Sequence, residues 1–222
     1  MFAAVVFLVW GVIVMAVVAQ RPSIGQSAGS VRRIKRRHSE YGSTPIAAMP
    51  EHHLCGILGR VAPVGELLTA PFTGRPCVYY SIEVLKESNL PTRVVEEQRG
   101  VPFTLSDLTG DATIDPSNAE VAPEFDYCHR SGWHDRPTDR IEAVLARHRT
   151  SILGVGGTRR LLFRESVIAP GDMLSVVGAA VRELDNSPRH ETTYRSSPTR
   201  LRIAGSLEAP LSILQKPRRR AP

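Results

Sequence analysis

The first nineteen residues, MFAAVVFLVWGVIVMAVVA, contain no charged or strongly polar side chain. In lipid, such a run satisfies its backbone only as a helix. At a rise of 1.5 Å per residue it reaches roughly 28 Å, enough for a hydrocarbon core of about 30 Å. Gln20 and Arg21 end it. A cleaved signal peptide and an uncleaved anchor are the alternatives. Val17-Val18-Ala19 could serve as a small-residue cleavage site. However, the only positive charge before the run is the α-amino group, and the run exceeds the usual length of about 7–15 residues. The uncleaved anchor fits better. The cationic flank is C-terminal, so the positive-inside rule places the N-terminus outside and the remainder in the cytoplasm. Three cysteines without a C-x-x-C pair agree with a reducing compartment.

The formal net charge of +6 is unevenly placed. Residues 1–50 carry Arg21, Arg32, Arg33, Lys35, Arg36 and Arg37 against Glu40, and residues 199–222 carry Arg200, Arg202, Lys216, Arg218, Arg219 and Arg220 against Glu208. Each end is therefore +5, and the middle is −4. A domain that tracks phosphates should be basic on its own surface, so an OB-type nucleic-acid binder is disfavoured, and only 6% of the residues are aromatic. Two basic clusters are instead candidates for anionic lipid: Arg32, Arg33, Lys35, Arg36 and Arg37 after the apolar run, and Lys216, Arg218, Arg219 and Arg220 at the end. Each such charge near a membrane is worth about 1 kcal/mol.

Residues 20–50 lack a sustained hydrophobic period and are punctuated by Ser, Gly and Pro, so a basic flexible tether is expected there. The body, 51–214, reads as short strands between turn signals. Seventeen glycines and 17 prolines favour strands over long helices. The clearest strand is 77–85, CVYYSIEVL, rich in β-branched and aromatic residues. Further strands are expected at 54–61, 92–97, 101–106, 112–115, 119–121, 161–168, 173–181, 199–204 and 211–214. Asp139-Arg140-Ile141-Glu142 has the spacing of a capping box, and Ile141, Val144, Leu145 and His148 keep helical spacing, so one short helix is expected over about 138–149. Residues 123–137 read as a polar loop and 154–157 as a glycine hinge. The expected fold is mainly β: a small OB-like barrel with one short helix, preceded by one transmembrane helix and followed by a basic tail, 215–222.

Several stretches of the body resemble the GIDE, or "beside a membrane", domain family. Gly59-Arg60-Val61 and Pro71-Phe72-Thr73-Gly74-Arg75-Pro76-Cys77-Val78-Tyr79-Tyr80 are similar to its opening, and Val101–Leu105 with Thr109-Gly110 to its middle. Glu165, Ile168, Pro170-Gly171-Asp172 and Gly178 keep its E-x-x-I-x-P-G-D-x-L-x-V-x-G signature, and the resemblance extends over about 54–214. It implies structural roles for Pro71, Gly74, Tyr80, Glu165, Pro170, Gly171, Asp172 and Gly178, and a membrane-side location. The family includes ubiquitin ligases that carry a RING. That chemistry needs about eight Cys/His ligands in paired spacing. This sequence offers Cys55, Cys77 and Cys128, none in a pair, and no second apolar segment follows Ile213.

Other chemistry is poorly supported. His52, His53 and Cys55, and Cys128, His129 and His134, are soft-ligand sets whose spacings fit no zinc pattern. Cys77 reads as a small buried hydrophobe. No G-x-S-x-G elbow or phosphate loop is present. No cofactor and no metal are expected. The leading function is a non-enzymatic binding or scaffold module at the membrane, with an unidentified protein partner. The alternative is a ligase-family protein acting with a separate catalytic partner.

Overall fold

The computed structural model describes residues 28–122, 124–131, 137–150, 153–154, 157–158, 160–184, 199–206 and 209–215. In chain order the elements are α1 (Ala28–Tyr41), β1 (Leu54–Pro63), β2 (Leu68–Thr69), β3 (Pro76–Cys77), β4 (Tyr79–Lys86), β5 (Thr92–Gly100), β6 (Phe103–Ser106), β7 (Asp111–Asp115), β8 (Ala119–Ala122) and β9 (Tyr127–Arg130). They continue as α2 (Asp139–Arg147), β10 (Leu153–Gly154), β11 (Gly157–Thr158), β12 (Leu161–Ile168), β13 (Met173–Leu184), β14 (Thr199–Ala204) and β15 (Leu211–Gln215). Short 3-10 turns lie at Ile46–Ala48 and Pro116–Asn118.

The protein is mainly β, as expected, and its first sheet closes on itself. The order β1-β6-β7-β14-β13 returns to β1, giving a five-stranded barrel. Its pairs are antiparallel except β7–β14, which is parallel. The long strand β13 makes this possible. One edge pairs with β1 over residues 173–179, while the other pairs first with β15 and then with β14. β8 adds to β15 in parallel and extends the wall. Period-2 alternation turns Ile57, Val61, Phe103, Leu105, Ile114, Leu174, Val176 and Ile203 into the barrel core.

A second, four-stranded sheet, β5-β4-β12-β9, is built from the stretches inserted between β1 and β6 and between β8 and β13. Tyr80, Ile82 and Val84 of β4, with Leu161, Phe163 and Val167 of β12, bury against Ile141, Val144 and Leu145 of α2. Phe72 meets Phe163 edge-on, with ring centroids 5.8 Å apart. The expected helix is therefore present, with Ile141, Val144 and Leu145 on its buried side and His148 as its C-cap. Its cap is Thr138 rather than Asp139: the Thr138 hydroxyl accepts from Ile141 N at 3.4 Å.

Four expectations need correction. The region 20–50 is not simply a tether: residues 28–41 form α1, which lies across the barrel wall. Ile34 and His38, one turn apart, face inward and are buried. His38 Nδ1 lies 2.7 Å from Ser175 Oγ on β13, and Nε2 3.1 Å from Ser212 Oγ on β15. Arg37 donates to Pro210 O. After the helix, Ile46 and Met49 enter the barrel core. Asp107 accepts from Ile46 N at 2.9 Å, and Thr109 Oγ1 accepts from Ala47 N at 3.2 Å. The described residues thus hold two α-helices, the expected one in the body and α1 before it. The polar loop 123–137 contains β9, an edge strand paired to β12. The glycine hinge is flanked by β10 and β11, which pair with each other.

Gly178 shows how tightly the barrel is drawn. A Cβ there would lie 2.5 Å from Leu211 Cδ1 and 2.7 Å from Ile203 Cγ2. Gly178→Ala should destabilise the domain by about 1–3 kcal/mol through overpacking, read by denaturant unfolding. Unchanged stability would show that β14 and β15 can move apart at this point.

Candidate functional site

Of the eight motif residues, four build the barrel and four cluster beside α2. Pro170 and Gly171 form the turn between β12 and β13. Asp172 N donates to Ala169 O at 3.1 Å, and Gly171 has φ +90°, which the second central position of such a turn requires. Asp172 Oδ2 accepts from Ala169 N at 2.9 Å and from Gln215 Nε2 at 3.2 Å. The end of β1 clasps the turn: Gly171 N donates to Val61 O, Val61 N donates to Asp172 O, and Arg60 donates to Gly171 O. These bonds hold the turn against the end of β1, and Gly178 serves the close packing described above.

Glu165 sits on the apolar face of β12, between Phe163 and Val167, and is fully buried. Its carboxylate accepts from Phe72 N at 2.7 Å, from Thr73 N at 3.1 Å and from the Thr73 hydroxyl. It therefore fastens the Pro71–Gly74 turn to the inserted sheet. Arg75, next along, makes a two-pronged pair with Asp126 at 2.7 and 2.8 Å, which raises the guanidinium pKa further. Cys77 is buried as expected, and burial pushes its thiol up to about 11. It is an inert core group.

Tyr80 donates to Glu97 Oε1 across the β4–β5 pair. Glu97 Oε2 also receives Arg147 at 2.7 Å and His148 Nε2 at 2.8 Å, both from the end of α2. Burial alone would push the Glu97 carboxyl up. The bonds from Tyr80 and His148 and the Arg147 charge outweigh that and hold it below its ordinary value. The Tyr80 phenol is pushed up, first by burial and then by the Glu97 carboxylate. Pro71 and Tyr80 both border an open cleft of about 280 Å³ beside α2.

The candidate lipid residues of the first cluster are ordered by α1. Arg32, Arg33, Lys35 and Arg36 are exposed and Arg37 is half-buried. Arg36 pairs with Glu40 at 2.8 Å, and Arg33 reaches Glu120 of β8 at 3.9 Å. Exposed pairs of this kind contribute about 0–1 kcal/mol and leave the face cationic. Lys216, Arg218, Arg219 and Arg220 lie outside the described residues, as does the apolar run Met1–Ala19. Among the described residues, no helix is long and apolar enough to cross a membrane. The His52, His53 and Cys55 set is not assembled, and His53 Nδ1 turns to Glu51 O; of the other set Cys128 is exposed and His134 lies outside the described residues. Among the described residues, no three His, Cys, Asp or Glu side chains converge as metal ligands. Sequence reasoning missed the Tyr80–Glu97–Arg147–His148 group. Only the position of His148 on the apolar spacing of α2 hinted at it.

The fold and these anchoring contacts define a barrel domain with an inserted sheet that holds its own loop in place. The chain belongs to the GIDE family: the family model, described as E3 ubiquitin ligase, matches residues 81–198. That span takes in Glu165, Pro170, Gly171, Asp172 and Gly178, while Pro71, Gly74 and Tyr80 precede it. No curated protein and no solved structure matches the chain.

Proposed function

We propose that this protein is a membrane-side binding module of the OB type whose barrel is held against anionic lipid by α1. The observation that carries this is the orientation of α1. Ile34 and His38 fasten one side to the barrel, and Arg32, Arg33, Lys35 and Arg36 point outward. The helix begins a few residues after an apolar run long enough to span a bilayer. With Met1–Ala19 as the anchor and the N-terminus outside, the basic face meets the cytoplasmic leaflet, where anionic lipid is concentrated. Lys216, Arg218, Arg219 and Arg220 follow β15, on which α1 rests, and add a second contact. Supporting the ligase-family alternative is the family description itself; in that case the transferase chemistry belongs to a separate partner, because this sequence has three unpaired cysteines.

The test is vesicle flotation of the protein lacking residues 1–20. It should bind vesicles containing phosphatidylserine and not those of phosphatidylcholine alone. Changing Arg32, Arg33, Lys35 and Arg36 to Ser should weaken binding at least tenfold, since each charge contributes about 1 kcal/mol. Removing 216–222 should weaken it further, and salt should weaken it in every case. Equal binding by the α1 variant and the parent would remove α1 from the membrane contact.

A further inference from the structure

The cleft beside α2 is cationic although the body of the chain is acidic. Arg140 and Arg147, two turns apart on one face of α2, line one wall, and Arg99 of β5 lines the other. Pro71, Leu68 and Ala143 contribute apolar surface. Arg147 is already committed to Glu97, which fixes its direction. Arg99 and Arg140 are both exposed and have no carboxylate partner among the described residues. Arg99 is the direct cross-strand neighbour of Tyr80.

Arg140 is also placed by the fold. Its guanidinium lies against Gly74, where a Cβ would come within 2.8 Å of Cζ. Any larger residue would displace it. Gly74 is in turn held by the turn that Glu165 fastens. The motif segment thus provides a platform for an arginine that has no carboxylate partner among the described residues.

We infer that this cleft binds an acidic segment of a partner protein, with carboxylates on Arg99 and Arg140 and an aliphatic side chain on Pro71, Leu68 and Ala143. Guanidinium groups match carboxylates two-pronged and remain charged at every physiological pH. Arg99 and Arg140 come from different elements, β5 and α2, and each offers its own guanidinium to a carboxylate. The apolar surface beside them rewards an aliphatic side chain, which a free phosphate does not carry. The inference extends the binding-module reading by naming the partner's chemistry, but it uses none of the α1 residues.

The test pans a displayed library of random heptapeptides against the full chain in phosphatidylcholine nanodiscs. The recovered peptides should combine Asp or Glu with Leu, Ile or Val. They should bind the wild type at least tenfold more tightly than Arg99→Ser/Arg140→Ser, and Arg99→Lys/Arg140→Lys should retain part of the affinity. Because both side chains are exposed, the Ser variant should keep the melting temperature of the parent. Neutralising Arg32, Lys35 and Arg36 should leave peptide binding unchanged while vesicle binding falls, which separates this site from the lipid contact. The proposal is overturned if no acidic peptide is enriched, if the double Ser variant binds equally well, or if the α1 variant loses the peptide. Displacement of the peptide by low-millimolar inorganic phosphate would equally overturn it, in favour of a phosphate ligand.

Discussion

Glu165→Ala is expected to destabilise the domain on the order of 3–5 kcal/mol, because it orphans two backbone N–H groups and a hydroxyl in a half-buried turn. Each buried donor left without a partner costs about 1–3 kcal/mol. Phe72 is among the groups affected, and its ring is part of the core under α2. Glu165→Gln keeps one acceptor oxygen and should cost clearly less. Urea unfolding of the full chain in detergent measures both. A loss under about 1 kcal/mol for the Ala variant would mean that water or a neighbouring group takes over the turn.

A chain beginning at residue 51 should fail to fold, whereas one beginning at residue 28 should fold cooperatively. The segment between contributes Ile34, His38, Ile46 and Met49 to buried surface. Removing a buried Ile or Met side chain typically costs about 2–5 kcal/mol. The loss of two such side chains from the barrel core alone approaches the whole stability of a domain, about 5–15 kcal/mol. Losing His38 also leaves Ser175 and Ser212 without that partner inside the α1 contact. Far-ultraviolet circular dichroism and thermal melting of the two forms decide the matter. A cooperative melt from the form starting at 51 would show that α1 and the Ile46–Met49 segment are accessory.

What could be read from the sequence depended on how far apart the deciding residues lie. β4 announced itself because Tyr80, Ile82 and Val84 carry the signal within a few positions. α2 did so through Ile141, Val144 and Leu145, and the turn at Pro170-Gly171 through residues whose dihedral preferences are local. The docking of α1 was hidden. Its inward side shows one strongly apolar residue in its middle, Ile34, and a histidine whose partners are hydroxyls on β13 and β15. A helix that is charged on most of its circumference looks solvated until the opposite surface is known. Glu165 misled in the same way, since a carboxylate on an apolar strand face makes sense only once the backbone of residues 72–73 has been brought to it. The four short strands β2, β3, β10 and β11 have too few residues to show any period.

The hairpin made by β12, its turn and β13 also governs when the domain can form at all. During synthesis β1 and β4 are made early, yet β1 pairs Leu54 with Ala179 and β4 pairs Tyr79 with Ile168. Until those partners exist, one edge of each early strand stays open, an arrangement that invites pairing with other chains. Contacts so distant in sequence also slow folding, to the millisecond-to-second range typical of barrels. Both waits end with the same piece of chain. Leu161–Leu184 supplies the missing neighbour of the inserted sheet on one side of the turn and that of the barrel on the other. Pro170 and Gly171, which set that turn, therefore act as a timing element: one hairpin closes the open edges of β1 and β4, and β14 then completes the barrel.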